Sequence, residues 1–263
     1  MKRIASRDNA HFRELKKLCQ SSRERRKTAR IVLDGMHLIE SYTDRFGPPD
    51  EIVLSEAGTA RAENARFVET RASAGAVTVL ADALFDELAT VDTPSGIMAV
   101  AALPRGVSGV NQEADAVLLD GVQDPGNLGS ILRSAAAAGF RQVLLSPDCA
   151  QAWSPKTLRA GMGAHFSLDI HESADLVGFL GAYRGQSVVT ALDGAEDLYR
   201  LDLALPVAWI FGSEGQGVRP EVIESASRRV RIPMPGVAES LNVAAAAAIC
   251  LFETVRQRQA SPV

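Results

Sequence analysis

Five polar side chains fall into three short segments of the last 145 residues, at loop ends within an otherwise apolar α/β chain. Asn127 and Arg133 lie in DPGNLGSILRSAAAAGF (124–140), Glu214 in WIFGSEGQGV (209–218), and Ser240 and Asn242 in IPMPGVAESLNVAAAAAICLFE (232–253). Each segment starts where an apolar strand gives way to a loop or a helix start, the place where open α/β sheets build ligand sites. Three such junctions in one half-chain point to one composite pocket. In the first, Asp120 and Gly121 end a strand, Pro125 and Gly126 turn the chain, and Asn127 is placed to cap the helix that begins there. Arg133, six residues on, projects from the same general side of that helix. In the second, Gly212, Gly215 and Gly217 suit a loop whose backbone approaches a ligand closely. That loop lacks the Lys-Ser/Thr of a Walker motif and the spacing of a dinucleotide fingerprint. In the third, Pro233 and Pro235 fix an extended approach, and Ser240 and Asn242 sit at a helix start. The run VAAAAAI after them carries no charge, so that helix packs tightly on the sheet or on a second copy of the chain. Taken singly, each residue has a plainer job. Asn127, Ser240 and Asn242 would be caps, Arg133 a surface ion-pair partner, and Glu214 a turn residue.

The elements that must position these groups form two α/β stretches. In the first half, a charged helix near 10–20 leads through a basic loop to the strand RIVLDG (30–35), and a helix near 36–45 follows. Then come EIVLS (51–55), a helix near 60–73, AVTVL (76–80), a short helix near 82–89 and GIMAVAAL (96–103). This alternation predicts a small α/β domain over 1–103, and PRGVSGVNQEA (104–114) reads as a linker. The second domain, 115–263, opens with the strand AVLLD (116–120) and a helix over about 127–138. It continues with QVLLS (142–146), helices near 155–162 and 173–183, and the strands QSVVTAL (186–192) and VAWIF (207–211). A helix near 219–226, the extended RVRIP (229–233) and a last helix over about 240–257 complete it. Strands alternating with helices predict a mainly parallel sheet covered on both faces.

Bulk properties narrow the partners. Residues 1–30 carry 11 Lys+Arg against 3 Asp+Glu, a net of +8, whereas the remaining chain carries −12. A basic arm on an acidic body is a footprint of polyanion binding. Cys19, Cys149 and Cys250 are too few and too scattered for a disulfide framework, so a reducing cytoplasm is the expected compartment. No apolar run is long enough to span a bilayer, and the N-terminal stretch has no apolar core of the secretory kind. The four histidines make no metal-ligand spacing with the cysteines, so no metal is expected.

Together the three segments resemble the SpoU/TrmH family of RNA ribose 2′-O-methyltransferases, within the SPOUT class, over about residues 115–257. SPKTLRAGMGAHF (154–166) is similar to the family's intervening segment, with Gly161 where many members have Ser. VLDGMHLIE (32–40) and TPSGIMAV (93–100) resemble the family's N-terminal RNA-binding domain, with Asp34 in place of a Glu. The resemblance implies a parallel-sheet domain with a deep trefoil knot, S-adenosylmethionine as methyl donor and a homodimer through the C-terminal domain. It places the cofactor against Gly212, Ile232 and Leu241, with Thr190 and Ala191 as additions, and makes Asn127, Arg133, Glu214, Ser240 and Asn242 the catalytic set. Guanidinium stays protonated in proteins, so Arg133 is expected to stabilise a developing 2′-alkoxide, with a phosphate oxygen or water taking the proton. The basic residues Arg7, Arg13, Lys16, Lys17, Arg23, Arg25, Arg26 and Lys27 would contact RNA phosphates. Ribosomal RNA is the favoured substrate, with transfer RNA and a non-catalytic RNA-binding role as alternatives. A nicotinamide enzyme would need an early glycine fingerprint, which is missing.

Overall fold

The computed structural model describes residues 1–71, 77–91, 93–104, 109–191 and 195–260. It divides into two compact units, one of Met1–Arg105 with Trp153–Phe166, the other of Gly106–Ala152 with Ser167–Val263. Parts of the expected linker (105–108), of the helix near 60–73 (72 and 73) and of two strands (Ala76 and Leu192) lie outside the described residues.

The first unit contains β1 (Lys2–Ile4), α1 (Ala10–Gln20), α2 (Ser22–Thr28), β2 (Arg30–Asp34), α3 (Met36–Phe46), β3 (Glu51–Ser55), α4 (Glu56–Thr59), α5 (Ala62–Arg71), β4 (Val77–Leu80), α6 (Asp82–Asp86) and β5 (Ile97–Ala102). Its sheet has the order β1-β4-β3-β5-β2, and β5 runs antiparallel to both β2 and β3. The central residues of β2, β3 and β5 are apolar because both faces of the sheet are covered. Ile31, Leu33, Ile52, Leu54, Ile97 and Ala99 pack under α3 and α5. The alternate residues Val32, Val53, Met98 and Val100 pack against α1 and α6. Two elements depart from expectation. Where a basic loop is expected, Ser21 caps α2 through the Glu24 N–H, and Arg25, Arg26 and Lys27 fill the last turn, where cations suit the helix dipole. Strand β1 is only three residues long and shows no alternation to reveal it.

A segment from the second expected domain also belongs to this unit, which shifts the boundary drawn from sequence. The helix α8 (Pro155–Gly161) lies on it, and Leu158 and Phe166 are buried in the same cluster as Ile31, Ile39 and Tyr42. Phe166 meets Tyr42 edge-on, with ring centroids 5.6 Å apart. Arg159 faces the buried Asp34 at 3.5 Å, and the same carboxylate oxygen, Oδ2, accepts the Thr90 N–H at 3.1 Å. Apolar burial, not position in the chain, decides the assignment.

The second unit contains β6 (Ala116–Asp120), α7 (Pro125–Ala137), β7 (Gln142–Leu145), β8 (Asp169–His171), α9 (Leu176–Ala182), β9 (Gln186–Thr190), β10 (Glu196–Asp197), β11 (Val207–Gly212), α10 (Pro220–Ser225), β12 (Arg228–Arg231) and α11 (Val243–Ala260). Its seven strands are all parallel, in the order β10-β12-β9-β11-β6-β7-β8. Ala116, Leu118, Val189 and Ile210 pack against α9 and α10 on one face. The apolar α11 lies against α7 and β11. Trp209 of β11 donates to Thr254 of α11 at 3.0 Å. Short edge strands β8 and β10 lack an apolar run and escape sequence reading. Both site helices begin elsewhere than expected, α7 two residues earlier at Pro125 and α11 three residues later at Val243.

Truncation of Leu158, fully buried in the first unit, should destabilise it by about 2–5 kcal/mol in the Leu158→Ala variant. Urea unfolding of the full chain checks this, and an unchanged midpoint would remove Leu158 from that core.

Candidate active site

Parallel strands bring their C-terminal ends to one edge. Asp120, Thr190, Gly212 and Arg231 therefore finish near one another on β6, β9, β11 and β12. Sheet order reverses between β6 and β11, with β7 and β8 on one side and β9, β12 and β10 on the other. Crevices open at such a reversal.

Two cavities share a wall there. The first, about 350 Å³, takes in Thr190, Ala191, Gly212, Ile232 and Leu241, every position expected at a cofactor, together with Ser240. Its remaining walls are largely apolar, from Val230, Met234, Val243 and Ala246. The second, about 550 Å³, lies between the end of β6, the start of α7 and the 213–220 loop. Ser213, Glu214, Gly217, Val218 and Val243 line both.

Loop 213–217 is closed on itself. Ser213 and Gly217 exchange backbone hydrogen bonds at 3.1 and 2.9 Å, and Gly217 has a φ of +69° that favours glycine. A Cβ on Gly212 would stand 2.1 Å from the carbonyl carbon of Gly217. This glycine is thus required by the loop's own backbone, before any ligand is considered.

Glu214, on that loop, is gripped by two amides. Asn127 Nδ2 and Asn242 Nδ2 each donate to Glu214 Oε1 at 2.7 Å, and Asn242 Nδ2 also donates to Asn127 Oδ1 at 2.9 Å. The three side chains form a closed triangle across 115 residues of chain. Asn242 is oriented by its second job. Its Oδ1 accepts the N–H groups of Ala244 and Ala245 at 3.0 and 3.3 Å, capping α11, so its NH2 must face Glu214. Asn127 does not cap α7. Asp124 does, accepting the Asn127 N–H at 2.7 Å, and Pro125 occupies the first helical position, which it suits. That leaves the amide of Asn127 free for the triangle.

Arg133 stands apart. Six residues of helix turn through about 600°, which leaves it about 120° round the axis from Asn127 and about 9 Å along it. The side chain is exposed and lines neither cavity, so the two residues do not share a face of α7. Ser240 is exposed on the rim of the smaller cavity, before α11 begins.

Sequence reading passed over the tie that holds the second cavity. Buried Asp120 accepts the Arg219 N–H at 2.8 Å and Arg219 Nε at 2.9 Å, and this hydrogen bond raises the guanidinium's pKa. An aspartate ending a fully buried strand is the signal that could have exposed it. None of the three cysteines lines either cavity, and burial pushes every thiol up, Cys19 to about 12. Among the described residues no group of three His, Cys, Asp or Glu could hold a metal ion, and no helix is long and apolar enough to cross a membrane.

The eight basic residues expected to contact RNA divide into three kinds. Lys17, Arg23, Arg26 and Lys27 are exposed on α1 and α2 without a carboxylate partner among the described residues. Arg7 and Lys16 share Glu87 and hold its carboxyl below the usual range, and Arg13 pairs with Asp8. Arg25 is a correction to the expected RNA contacts. It is buried and donates to the carbonyls of Leu18 and Cys19 at 2.7 and 3.1 Å, closing the end of α1, so it cannot meet a phosphate.

Comparison with known proteins identifies the family. A model of the SpoU rRNA Methylase family matches residues 115–252, and one of the MRM3-like substrate binding domain matches residues 9–99. The chain is 32% identical to the 23S rRNA (guanosine(2553)-2′-O)-methyltransferase RlmP of Bacillus subtilis strain 168, over 96% of this chain and 98% of that protein. The crystal structure of an RNA 2′-O ribose methyltransferase superposes with a TM-score of 0.83 at 30% identity, covering 98% of this chain and 99% of the other. The SpoU methyltransferase AviRb of Streptomyces viridochromogenes, in complex with AdoMet, also gives a TM-score of 0.83, at 27% identity, over 97% of this chain and 100% of its own. The chain belongs to the SpoU family of S-adenosylmethionine-dependent RNA 2′-O-methyltransferases.

Proposed function

We propose that this protein transfers a methyl group from S-adenosylmethionine to the ribose 2′-oxygen of a guanosine in 23S ribosomal RNA. The observation that carries the reading is the Asn127–Glu214–Asn242 triangle standing in the wall between two cavities. One cavity is lined mainly by apolar groups and backbone, and the other carries more polar lining. Similarity to RlmP over nearly the whole of both chains supports the choice of RNA. Such a substrate puts the enzyme in the cytoplasm.

The smaller cavity fits the methyl donor. Its volume lies within the usual range for ligand sites. Ile232, Met234 and Leu241 offer apolar contact to an adenosyl group, and the backbone of 212–217 and 231–232 can read adenine edges without charged side chains. Glu214 places a carboxylate on the rim, which complements a sulfonium. When bound, S-adenosylmethionine supplies an electrophilic methyl, so the protein's task is the nucleophile. A ribose hydroxyl is a very weak acid and needs stabilisation of developing negative charge. We assign that task to the Arg133 guanidinium, with a phosphate oxygen or water accepting the proton. Asn127 and Asn242 hold Glu214 still, and Ser240 shapes the pocket mouth.

Arg133 lies outside both cavities of its own chain, which supports its acting in the site of a second copy. Exposed apolar side chains on and beside α11, Phe252 and Leu241 among them, give that copy a surface to cover. We accordingly propose a homodimer through the C-terminal domain 115–263, with residues 1–103 holding RNA, and the family's trefoil knot in the C-terminal chain. Lys17, Arg23, Arg26 and Lys27 are the phosphate contacts we favour.

Arg133→Ala should lower kcat about 100-fold or more while leaving S-adenosylmethionine affinity nearly unchanged, measured by methyl transfer to ribosomal RNA and by calorimetry. Co-expressing it with an Asn242→Ala chain should restore about a quarter of wild-type activity if the arginine serves its partner, and none if it serves its own site. Asn242→Asp keeps a capping side chain but sets a second carboxylate against Glu214. Thermal stability should hold while activity is lost, and an active Asn242→Asp enzyme would contradict the role given to the triangle. Replacing Arg23 and Lys27 with alanine should weaken RNA binding at every sequence and flatten its salt dependence by about one unit of slope per lost phosphate contact. An unaltered slope in a salt titration would move the RNA elsewhere.

A further inference from the structure

The second cavity, about 550 Å³, is roomy enough for a nucleobase and shares Glu214 and Ser213 with the proposed cofactor cavity. Four carboxylates line it: Asp120, Asp124, Asp148 and Glu214. Such a lining repels phosphate and favours groups that donate hydrogen bonds. Three of the four are already engaged. Arg219 occupies Asp120, Asp124 caps α7, and Glu214 receives the two amides. Asp148 accepts no hydrogen bond and has no contact ion pair among the described residues, and it acts on Arg219 only through longer-range attraction.

Its turn is nevertheless well anchored. Cys149 N–H donates to the Ser146 carbonyl at 3.2 Å, Ala150 N–H to the Val122 carbonyl at 2.8 Å, and Cys149 Sγ to the Leu119 carbonyl at 3.1 Å. The backbone that carries Asp148 is therefore fixed at the cavity wall, with the residue itself exposed.

Base chemistry selects the occupant. Guanine alone among the RNA bases presents two adjacent donors, N1–H and N2–H, on its Watson–Crick edge. Their spacing suits the two oxygens of one carboxylate. Adenine and cytosine set one donor beside an acceptor, and uracil flanks its single N–H with carbonyls, so a carboxylate opposes each. We propose that Asp148 reads the acceptor base as guanine, receiving N1–H and N2–H on its two oxygens. This rests on the methyltransferase reading above and names the residue that sets its base specificity.

The experiment uses the full-length enzyme and a ribosomal RNA fragment carrying the mapped acceptor, synthesised with guanosine or with inosine, which lacks the N2 amino group. The wild-type kcat/KM should fall about 10- to 100-fold on inosine, the scale of a charge-assisted hydrogen bond. Asp148→Asn should lose about as much on guanosine, become indifferent to the inosine exchange, and keep wild-type affinity for S-adenosylmethionine. Asp124→Asn, which retains a capping side chain, should keep the wild-type guanosine-to-inosine ratio. A full ratio in Asp148→Asn, loss of the ratio in Asp124→Asn instead, or a mapped acceptor other than guanosine overturns the proposal. Absence of methyl transfer by the wild-type enzyme to any RNA would strike the underlying reading first, and this proposal with it.

Discussion

Glu214 sits on an exposed glycine-rich turn and would swing freely without the two asparagines that hold it. Everything at the proposed site depends on that grip. It joins the loop after β11 to the first turn of α7 and to the residue just before α11, tying the three segments together. Each asparagine is released for the task by another group. Asp124 relieves Asn127 of capping, and the α11 N–H groups turn the Asn242 amide in one direction. A carboxylate with two amide donors on one oxygen keeps its charge at a defined point on the boundary between two cavities. Charge fixed in place before a substrate arrives costs no reorganisation when reaction begins.

Much of this was legible in the residues, for identifiable reasons. Strands β2, β3, β6 and β11 are apolar on both faces, and a run without polar residues between turn formers has few other readings. The positions expected at a cofactor line one cavity: Thr190, Ala191, Gly212 and Ile232 because a parallel sheet brings its strand ends to one edge, and Leu241 because it stands just before α11. What escaped was set by tertiary contact. Ser21 and three basic residues make a helix of α2 that its composition disguised as a loop. Arg25 looks like its cationic neighbours, yet the carbonyls at the end of α1 bury it. The relation of Asn127 to Arg133 was misjudged because a six-residue step does not return to the same helix face.

Electrostatics divides the labour within each unit. The first exposes four cations on α1 and α2 that have no carboxylate partner among the described residues, while Glu87 and Asp8 quench Arg7, Lys16 and Arg13. The second surrounds its larger cavity with carboxylates and neutralises only Asp120 by direct contact. On the reading proposed above, phosphates would meet the first surface and a base edge the second.

The stretch from Trp153 to Phe166 has a consequence for biosynthesis. Leu158 and Phe166 complete a hydrophobic core whose other strands and helices all precede residue 105. While the chain emerges from the ribosome, its first sheet must wait with one flank uncovered until β6, α7 and β7 have been made. Folding of this protein is therefore not a simple succession of one finished half and then the next. The early half stays unfinished, and open to chaperones or to misassembly, until the later half is well under way.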